Sequence, residues 1–350
     1  MDRFLEFIQR ISRIPTVEHP FIIHKRVEEY KNFFDKLKGI LEDIGYKYDY
    51  ISLIESIYYY WAVRQYKPWL QDKYVIALIG KFSSGKSSIV NSILGSNILP
   101  VDVTPTTAIP TYISFDTKGT DCLVVDKDDN IKKINFDDVK ILSKDNIGDF
   151  PVSMLFKYLV ITNNNRNLLH KTILDTPGYN STDEVDIAAT SSVISDSDAV
   201  FWIIDINDGT ISADSIRFIK ETIQQKPLYI IINKVDMKSP RDREMIKENV
   251  IRILKKESIN FIDCLLYSSR SNEYRDKISS LISGLVRDTQ KGFKQLLFEV
   301  IDEATNNISD QLKDLINKKR DIEKRRESIE SDYKNNIDQI YSLESRILYK

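Results

Sequence analysis

Residues Gly80-Lys81-Phe82-Ser83-Ser84-Gly85-Lys86-Ser87-Ser88 have the types and spacing of a loop that cradles phosphate, G-x-x-x-x-G-K-[ST]. Gly80 and Gly85 let the backbone curl until successive N–H groups aim at phosphate oxygens. Lys86 neutralises the outer phosphates, and the Ser87 hydroxyl is a ligand for Mg²⁺. The apolar run Tyr74–Ile79 before the loop reads as a strand. The run Ile89–Leu94 after it, closed by Gly95, reads as a helix whose positive N-terminus faces the phosphates. Gly80, Ser83, Ser84, Gly85, Lys86, Ser87 and Ser88 are therefore assigned to nucleotide contact.

Further along, Asp175-Thr176-Pro177-Gly178 ends the run Lys171–Leu174. A carboxylate there holds Mg²⁺ through water, and the Gly178 amide senses the outermost phosphate. Asn233-Lys234-Val235-Asp236 ends the run Tyr229–Ile232. In that pattern a carboxylate accepts from the N1–H and exocyclic amine of guanine, a donor pair that adenine lacks, and the lysine stem covers the base. Asp236 is thus the base reader, with Asn233 and Lys234 beside it. Ser268-Ser269-Arg270 follows the run Asp263–Tyr267 and falls where a last loop touches the base edge. Between the phosphate loop and Asp175, the stretch from Pro100 to Pro110 has prolines, threonines and no helical period, and reads as a switch. One of its threonine hydroxyls completes the Mg²⁺ shell around GTP; the expected ligands are GTP or GDP with Mg²⁺.

These loops need a sheet to hold them. Strand-like runs at 74–79, 111–115, 121–125, 152–161, 168–174, 199–205, 228–232 and 263–267 alternate with helical stretches. That alternation predicts an α/β domain with a mostly parallel, doubly wound sheet. The turn clusters Asp126–Asn130 and Asn163–Asn167 read as hairpins adding antiparallel strands at one edge. Before the sheet, residues 22–72 carry apolar residues at three- and four-residue spacing. After about residue 288 an uninterrupted helix keeps Phe293, Leu297, Val300, Ala304, Ile308, Leu312, Leu315, Ile322, Ile329, Tyr333, Ile337, Ile340 and Ile347 at spacings near 3.5 residues. This helix needs a partner, and Lys319 and Arg326 interrupt its seam. The densest basic run, Lys318–Arg326, is interleaved with acids and reads as the solvated face of a coiled coil. No stop signal follows, so a continuation of the helix beyond Lys350 is expected. The expected divisions are 1–72 (helices), 73–290 (nucleotide domain) and 291–350 (long helix).

With 350 residues, 42% hydrophobic and 29% charged, the chain has the composition of an ordinary globular protein. A net charge of -2 gives no global attraction to nucleic acid or anionic lipid, and no nucleic-acid partner is expected. Cys122 and Cys264 lie in strand-like runs and read as buried thiols in a reducing compartment. His19, His24 and His170 are too scattered for a metal site. No apolar run approaches the roughly 18–20 residues that span a bilayer. Met1–Ile14 is amphipathic, with Phe4, Leu5, Ile8 and Ile11 on one side; Asp2 and Glu6 favour an ordinary helix over a targeting presequence.

Gly80–Ser88 with Asn91, Leu99-Pro100 and Pro105-Thr106-Thr107-Ala108 resembles the bacterial branch of the dynamin superfamily, large GTPases that remodel or fuse membranes. The resemblance covers about residues 74–290 by motif and the flanking helices by position. It implies GTP hydrolysis coupled to dimerisation of the nucleotide domains, with a copy of the chain or a related protein. It also implies a helical bundle built from the two flanks, and a cytoplasmic protein peripheral on the inner face of a membrane. By the same resemblance Thr107 is the switch threonine and a Mg²⁺ ligand, with Thr106 beside it at the nucleotide. Lys86, Ser83 and Thr107 then form the catalytic set, and Ser87, Thr107 and Asp175 the metal set. One residue departs from the pattern: dynamin has a glutamine where this chain has Phe82, so no side-chain amide at that position orients water. Two other readings are a nucleotide-gated scaffold with negligible hydrolysis and a regulatory GTPase of the ribosome-assembly or septin type.

Overall fold

The computed structural model describes residues 2–17, 21–43, 55, 58–59, 61–99, 109–117, 119–142, 152–178, 193–223, 226–271, 273–286 and 293–348. The chain divides into two compact units, Met1–Phe33 with Tyr59–Thr289, and Phe34–Tyr58 with Gln290–Lys350.

Among the described residues, the first unit is built on nine strands: β1 (Tyr74–Gly80), β2 (Thr111–Phe115), β3 (Asp121–Asp126), β4 (Ile131–Ile134), β5 (Phe156–Asn163), β6 (Lys171–Asp175), β7 (Ala199–Asp205), β8 (Leu228–Asn233) and β9 (Asp263–Leu266). Their order in the sheet is β4-β3-β5-β2-β6-β1-β7-β8-β9. From β6 to β9 every pairing is parallel. β2 runs antiparallel to β6 and parallel to β5, and β3 runs antiparallel to both β4 and β5. The expected α/β architecture with added edge strands is therefore present.

Alternation along the strands explains why the sheet is covered on both faces. Ile76 and Leu78 of β1, Phe201 and Ile203 of β7, and Tyr229 and Ile231 of β8 join one core. Their neighbours Val75, Ala77, Ile79, Val200, Trp202, Ile230 and Ile232 join the other. Helices α1 (Asp2–Ser12), α3 (Lys86–Leu94) and α7 (Arg275–Gly284) contribute to the first core; α5 (Ala213–Thr222) and α6 (Pro240–Lys256) contribute to the second. A short helix α4 (Phe136–Ile141) follows β4, and α2 (Phe21–Asp43) precedes the sheet.

Three differences from the sequence reading have physical causes. The cluster Asp126–Asn130 does join the antiparallel pair β3 and β4, but Asn163–Asn167 is not a hairpin: β5 and β6 are separated by β2. A polar turn cluster signals that the chain leaves a strand, and carries no information about which strand pairs next. Second, α1 buries Phe4, Phe7 and Ile11, while Leu5 is exposed. The buried side is set by what the helix meets, here Phe156 of β5, whose ring stands edge-on to Phe7 at 6.3 Å. Third, α1 belongs with the sheet rather than with a bundle built from the two flanks, because its apolar side completes the first core.

Residues 59–72 also belong to the sheet unit, through a buried charge cluster. Arg64, 3% exposed, donates to the carbonyls of Leu70, Lys73 and Asp196 and to both carboxylate oxygens of Asp198. Asp198 Oδ2 also accepts from the Val75 amide, and Asp196 accepts from Lys67 and from the Tyr112 hydroxyl. Burial, reinforced by Asp196, holds the Tyr112 hydroxyl well above its ordinary pKa, so it stays protonated as the donor. Removing one partner of such a pair leaves an uncompensated buried charge. Arg64→Ala is expected to destabilise the sheet unit by about 3 kcal/mol, read as a lower denaturation midpoint for the fluorescence of the buried tryptophans.

The second unit comprises Phe34–Tyr58 and Gln290–Lys350. The Phe34 and Tyr58 rings lie 5.1 Å apart, and Lys38 pairs with Glu55 at 2.5 Å. Its largest element is α8 (Phe293–Leu348), 56 residues without a break. At 1.5 Å per residue that is about 84 Å of helix.

Candidate nucleotide site

Parallel strands put their carboxyl ends on one edge, and in such sheets ligands bind in the loops along that edge. Here β6 delivers Asp175, β1 the phosphate loop, β7 Asp205 and β8 Asn233, while Tyr267-Ser268-Ser269 follows β9. The register sets Leu78 of β1 beside Asp175 of β6, and Asp205 of β7 beside Asn233 of β8.

The phosphate loop curls between β1 and α3 through left-handed Ser83 (φ 60°) and Gly85 (φ 90°). Glycine is required twice for space. A Cβ on Gly80 would lie 2.4 Å from the Ile203 carbonyl oxygen, and one on Gly85 would lie 2.3 Å from Asn233 Nδ2. The Ser84 hydroxyl is buried and has no hydrogen-bond partner among the described residues. Ser84 instead contributes its carbonyl, which accepts from Asn233 Nδ2 at 2.9 Å. Lys86 is 7% exposed, its ammonium donating to the carbonyls of Gly80 at 3.0 Å and Lys81 at 3.2 Å. That places a positive charge inside the curl, at the start of a helix, where both backbone N–H groups and dipole favour an anion.

Ser87 and Asp175 meet: Ser87 Oγ donates to Asp175 Oδ2 at 2.7 Å, and Asp175 is fully buried at the end of β6. A hydroxyl and a carboxylate beside a phosphate cradle are hard oxygen donors of the kind Mg²⁺ takes, and the pair fits that ion. Thr176, next in the chain, is anchored through Oγ1 to the Leu78 carbonyl at 2.8 Å, which directs Gly178 back toward the phosphate loop. A Cβ at 178 would stand 2.7 Å from Phe82 Cα and 2.9 Å from Phe82 N. Those are backbone atoms that cannot step aside. Gly178→Ala is therefore expected to push this segment and the phosphate loop apart and to weaken nucleotide binding, measured by equilibrium titration.

At the other end, Asn233 is a fully buried clamp: besides holding Ser84 it accepts from the Ser269 amide at 3.2 Å. The phosphate loop and the last loop are thus tied through one side chain. Asp236 Oδ1 accepts from the Ser268 hydroxyl at 2.6 Å, and Ser268 Oγ in turn accepts from the Ser271 amide at 3.0 Å. This fixes the carboxylate with Oδ2 engaged by no described protein group. Lys234 adopts a left-handed backbone (φ 63°), and its ammonium pairs with Asp205 Oδ2 at 2.6 Å.

Of the residues singled out from sequence, Gly80, Ser83, Ser84, Gly85, Lys86, Ser87, Ser88, Asp175, Gly178, Asn233, Lys234, Asp236, Ser268 and Ser269 lie on this edge of the sheet or in the helix that opens from it. Thr106 and Thr107 lie outside the described residues. Two contributors were not assigned a role from sequence. Asp205 ends the apolar run 199–205, which is the signal that would have found it. Asn91 is the second: its Nδ2 donates to the Leu99 carbonyl, while its Oδ1 accepts from the Ile98 and Leu99 amides. It staples the chain that leaves α3 toward the segment read as a switch.

The dynamin-family model matches residues 76–235, which contain every element from the phosphate loop to Val235. Dynamin-like protein A of Bacillus subtilis is 28% identical over 171 residues, covering 47% of this chain and 14% of that protein. Dynamin-like protein 2 of Campylobacter jejuni is 28% identical over 212 residues, covering 56% of this chain and 31% of that protein. Among solved structures, an oligomerised bacterial dynamin pair, described as providing a mechanism for long-range sensing and tethering of membranes, shares the fold. Its TM-score is 0.50 at 19% identity, over 75% of this chain and 44% of that one. The chain thus spans less than a third of the length of those two relatives and less than half of the solved one.

Proposed function

We propose that this chain, through the dynamin-family nucleotide domain it carries at residues 76–235, binds guanine nucleotides and hydrolyses GTP to GDP and phosphate. The observation that carries the proposal is the fixed Asp236 carboxylate, held by Ser268 on a loop that Asn233 ties to the phosphate cradle. One acceptor pair is thereby aimed at a base at the same time as the cradle takes its phosphates.

In this reading Lys86 binds the β- and γ-phosphates, and the loop amides from Ser83 to Ser88 surround them. Ser87 and Asp175 hold Mg²⁺, with Thr107 as the switch ligand; the ion, when bound, neutralises charge on the phosphate oxygens. Gly178 couples the γ-phosphate to the chain beyond it. Phosphoryl transfer asks little covalent work of the protein, so rate depends on positioning and charge. Phe82 supplies no amide to orient the attacking water, and the residue is 41% exposed. The missing order comes from a second nucleotide domain closing over the site, with Ser83 and backbone groups placing the water. Groups supplied in trans contribute roughly 10³–10⁵ in rate in related chemistry.

Peripheral contact with the cytoplasmic face of a membrane, and remodelling or fusion of it, belong to the same proposal. They rest on the motif resemblance to the dynamin superfamily; the solved bacterial dynamin pair, described as sensing and tethering membranes, supports membrane contact alone. Among the described residues no helix is long and apolar enough to cross a membrane. Phe82 favours one second reading, a nucleotide-gated scaffold that hydrolyses negligibly.

GTP turnover per molecule, measured as protein concentration rises and with and without anionic liposomes, separates the two. Rising turnover supports the coupled enzyme. Flat turnover near the intrinsic rate of unassisted small GTPases, on the order of 10⁻⁴ to 10⁻³ s⁻¹, supports the scaffold.

A further inference from the structure

At the end of the sheet opposite the nucleotide loops, where β8 and β9 begin, a cleft of about 720 Å³ opens between the end of α5 and the turn after α6. That size lies within the roughly 300–1,000 Å³ of small-molecule sites. Its walls are part of the core: Ile219, Ile223, Leu228 and Ile259 are buried, and Phe261 packs against the same cluster. Ile262 lines the cleft at its mouth, 60% exposed, and is fixed there by its amide, which donates to the Leu228 carbonyl at 2.8 Å. The turn after α6 shapes one side. Ser258 N–H donates to the Lys255 carbonyl at 3.1 Å and Ile259 N–H to the Leu254 carbonyl at 2.9 Å, the pairing that closes a helix through a left-handed residue. That residue is Ser258 (φ 55°), where glycine would sit without strain. The turn carries Ile259 into the core and leaves Ser258 and Asn260, both exposed, on the cleft.

Charge in the lining is unequal. Lys220 and Lys226 stand against one carboxylate, Glu257, and Lys220 takes it at 2.8 Å. Lys226 is left with neutral acceptors, the carbonyls of Ser195, at 3.3 Å, and Ser197. The nearest carboxylates have cations of their own: Asp196 pairs with Lys67 and Asp198 with Arg64. Burial lowers the Lys226 pKa in spite of those two acids, so a further negative charge beside it favours the ammonium form. We infer that this cleft is a binding site for a small amphiphile with one carboxylate and an apolar body. The carboxylate lies toward Lys226 and the polar side chains of Ser258 and Asn260, and the body lies on Ile219, Ile223 and Phe261. The surplus of one cation selects a monoanion over a neutral or cationic amphiphile. Apolar walls reject a multiply charged ligand, whose remaining charges would be desolvated without partners. The site is independent of the nucleotide reading, since it lies at the opposite end of β8 from Asn233.

The test is calorimetric titration of the whole chain with decanoate and with decylammonium, each below its micelle concentration. Decanoate should bind at one site per chain and about tenfold or more tighter than decylammonium, as a hydrogen bond to a charged group implies. Ile262→Glu sets a second carboxylate in the exposed mouth; it should weaken decanoate about tenfold and narrow the gap to decylammonium. Ser258→Gly relieves the left-handed backbone, so it should keep or raise the denaturation midpoint while decanoate binding falls several-fold through the lost hydroxyl. Both variants lie far from the phosphate loop and should keep the GDP affinity of the unmodified chain, which reports on the nucleotide site alone. If Ile262→Glu disturbs the fold, Ser258→Gly carries the test. No decanoate binding, equal affinity for the two amphiphiles, or full decanoate affinity in both variants would each overturn the inference.

Discussion

Asp236→Asn is expected to weaken guanine nucleotide binding by roughly 10²–10⁴-fold, from two hydrogen bonds to a charged group at about 1.5–3 kcal/mol each. The substitution keeps the size of the side chain and removes its charge. It also turns one acceptor into an amide donor, which then faces a donor of the base. Ser268 now fixes an amide where it had fixed a carboxylate, so the misplaced donor cannot rotate freely out of the way. The loss should be selective. Xanthine carries a carbonyl where guanine carries its amine, so xanthosine triphosphate should gain relative to GTP in the variant. Fluorescence titration with the matched nucleotides measures both directions of the change. An equal loss for every purine would mean that the substitution acts on the fold and not on base reading.

Lys86→Ala is expected to cost a similar factor, roughly 10²–10⁴, but without regard to the base, because the ammonium contacts phosphate oxygens. Its side chain is folded into the loop against the Gly80 and Lys81 carbonyls, so part of the loss could be mistaken for collapse of the cradle. The two are separable. Loss of the two carbonyl bonds is read as a lower denaturation midpoint of the ligand-free protein, and loss of the phosphate contact as lower triphosphate affinity in a chain that is still folded. Lys86→Arg keeps the charge but brings a wider, planar head into a curl sized for a point charge. It should restore little binding, and a full rescue would argue that charge alone, without the enclosing loop, explains the site.

What the sequence revealed of this site, and what it withheld, follows from how local each feature is. The phosphate loop, Asp175 and the Asn233-to-Asp236 run are contiguous patterns at the ends of apolar runs, so residue type and spacing locate them. Ser268 and Ser269 were assigned by their place after a strand, and the Ser268 hydroxyl on Asp236 supplies the reason they matter. Asp205 escaped because its partner, Lys234, follows the end of another strand, and that pairing exists only once β7 and β8 are side by side. The same kind of non-local event separates β5 from β6: β2, coming from earlier in the chain, inserts between them. Amphipathicity located α1, but it could not say that Phe7 rather than Leu5 would be buried, since that depends on the ring of Phe156 across the core. Arg64 was likewise invisible as a clamp, because its carboxylate partner Asp198 lies 134 residues away.

The most direct test of the central claim, a guanine-specific site between the phosphate loop and Asp236, is competition between ATP and GTP for a fluorescent guanine nucleotide on the unmodified chain with Mg²⁺ present. The fixed carboxylate predicts that GTP displaces the probe at concentrations at least 100-fold below those at which ATP does, about 2.7 kcal/mol of discrimination from the two base contacts. Equal displacement by ATP and GTP would contradict it.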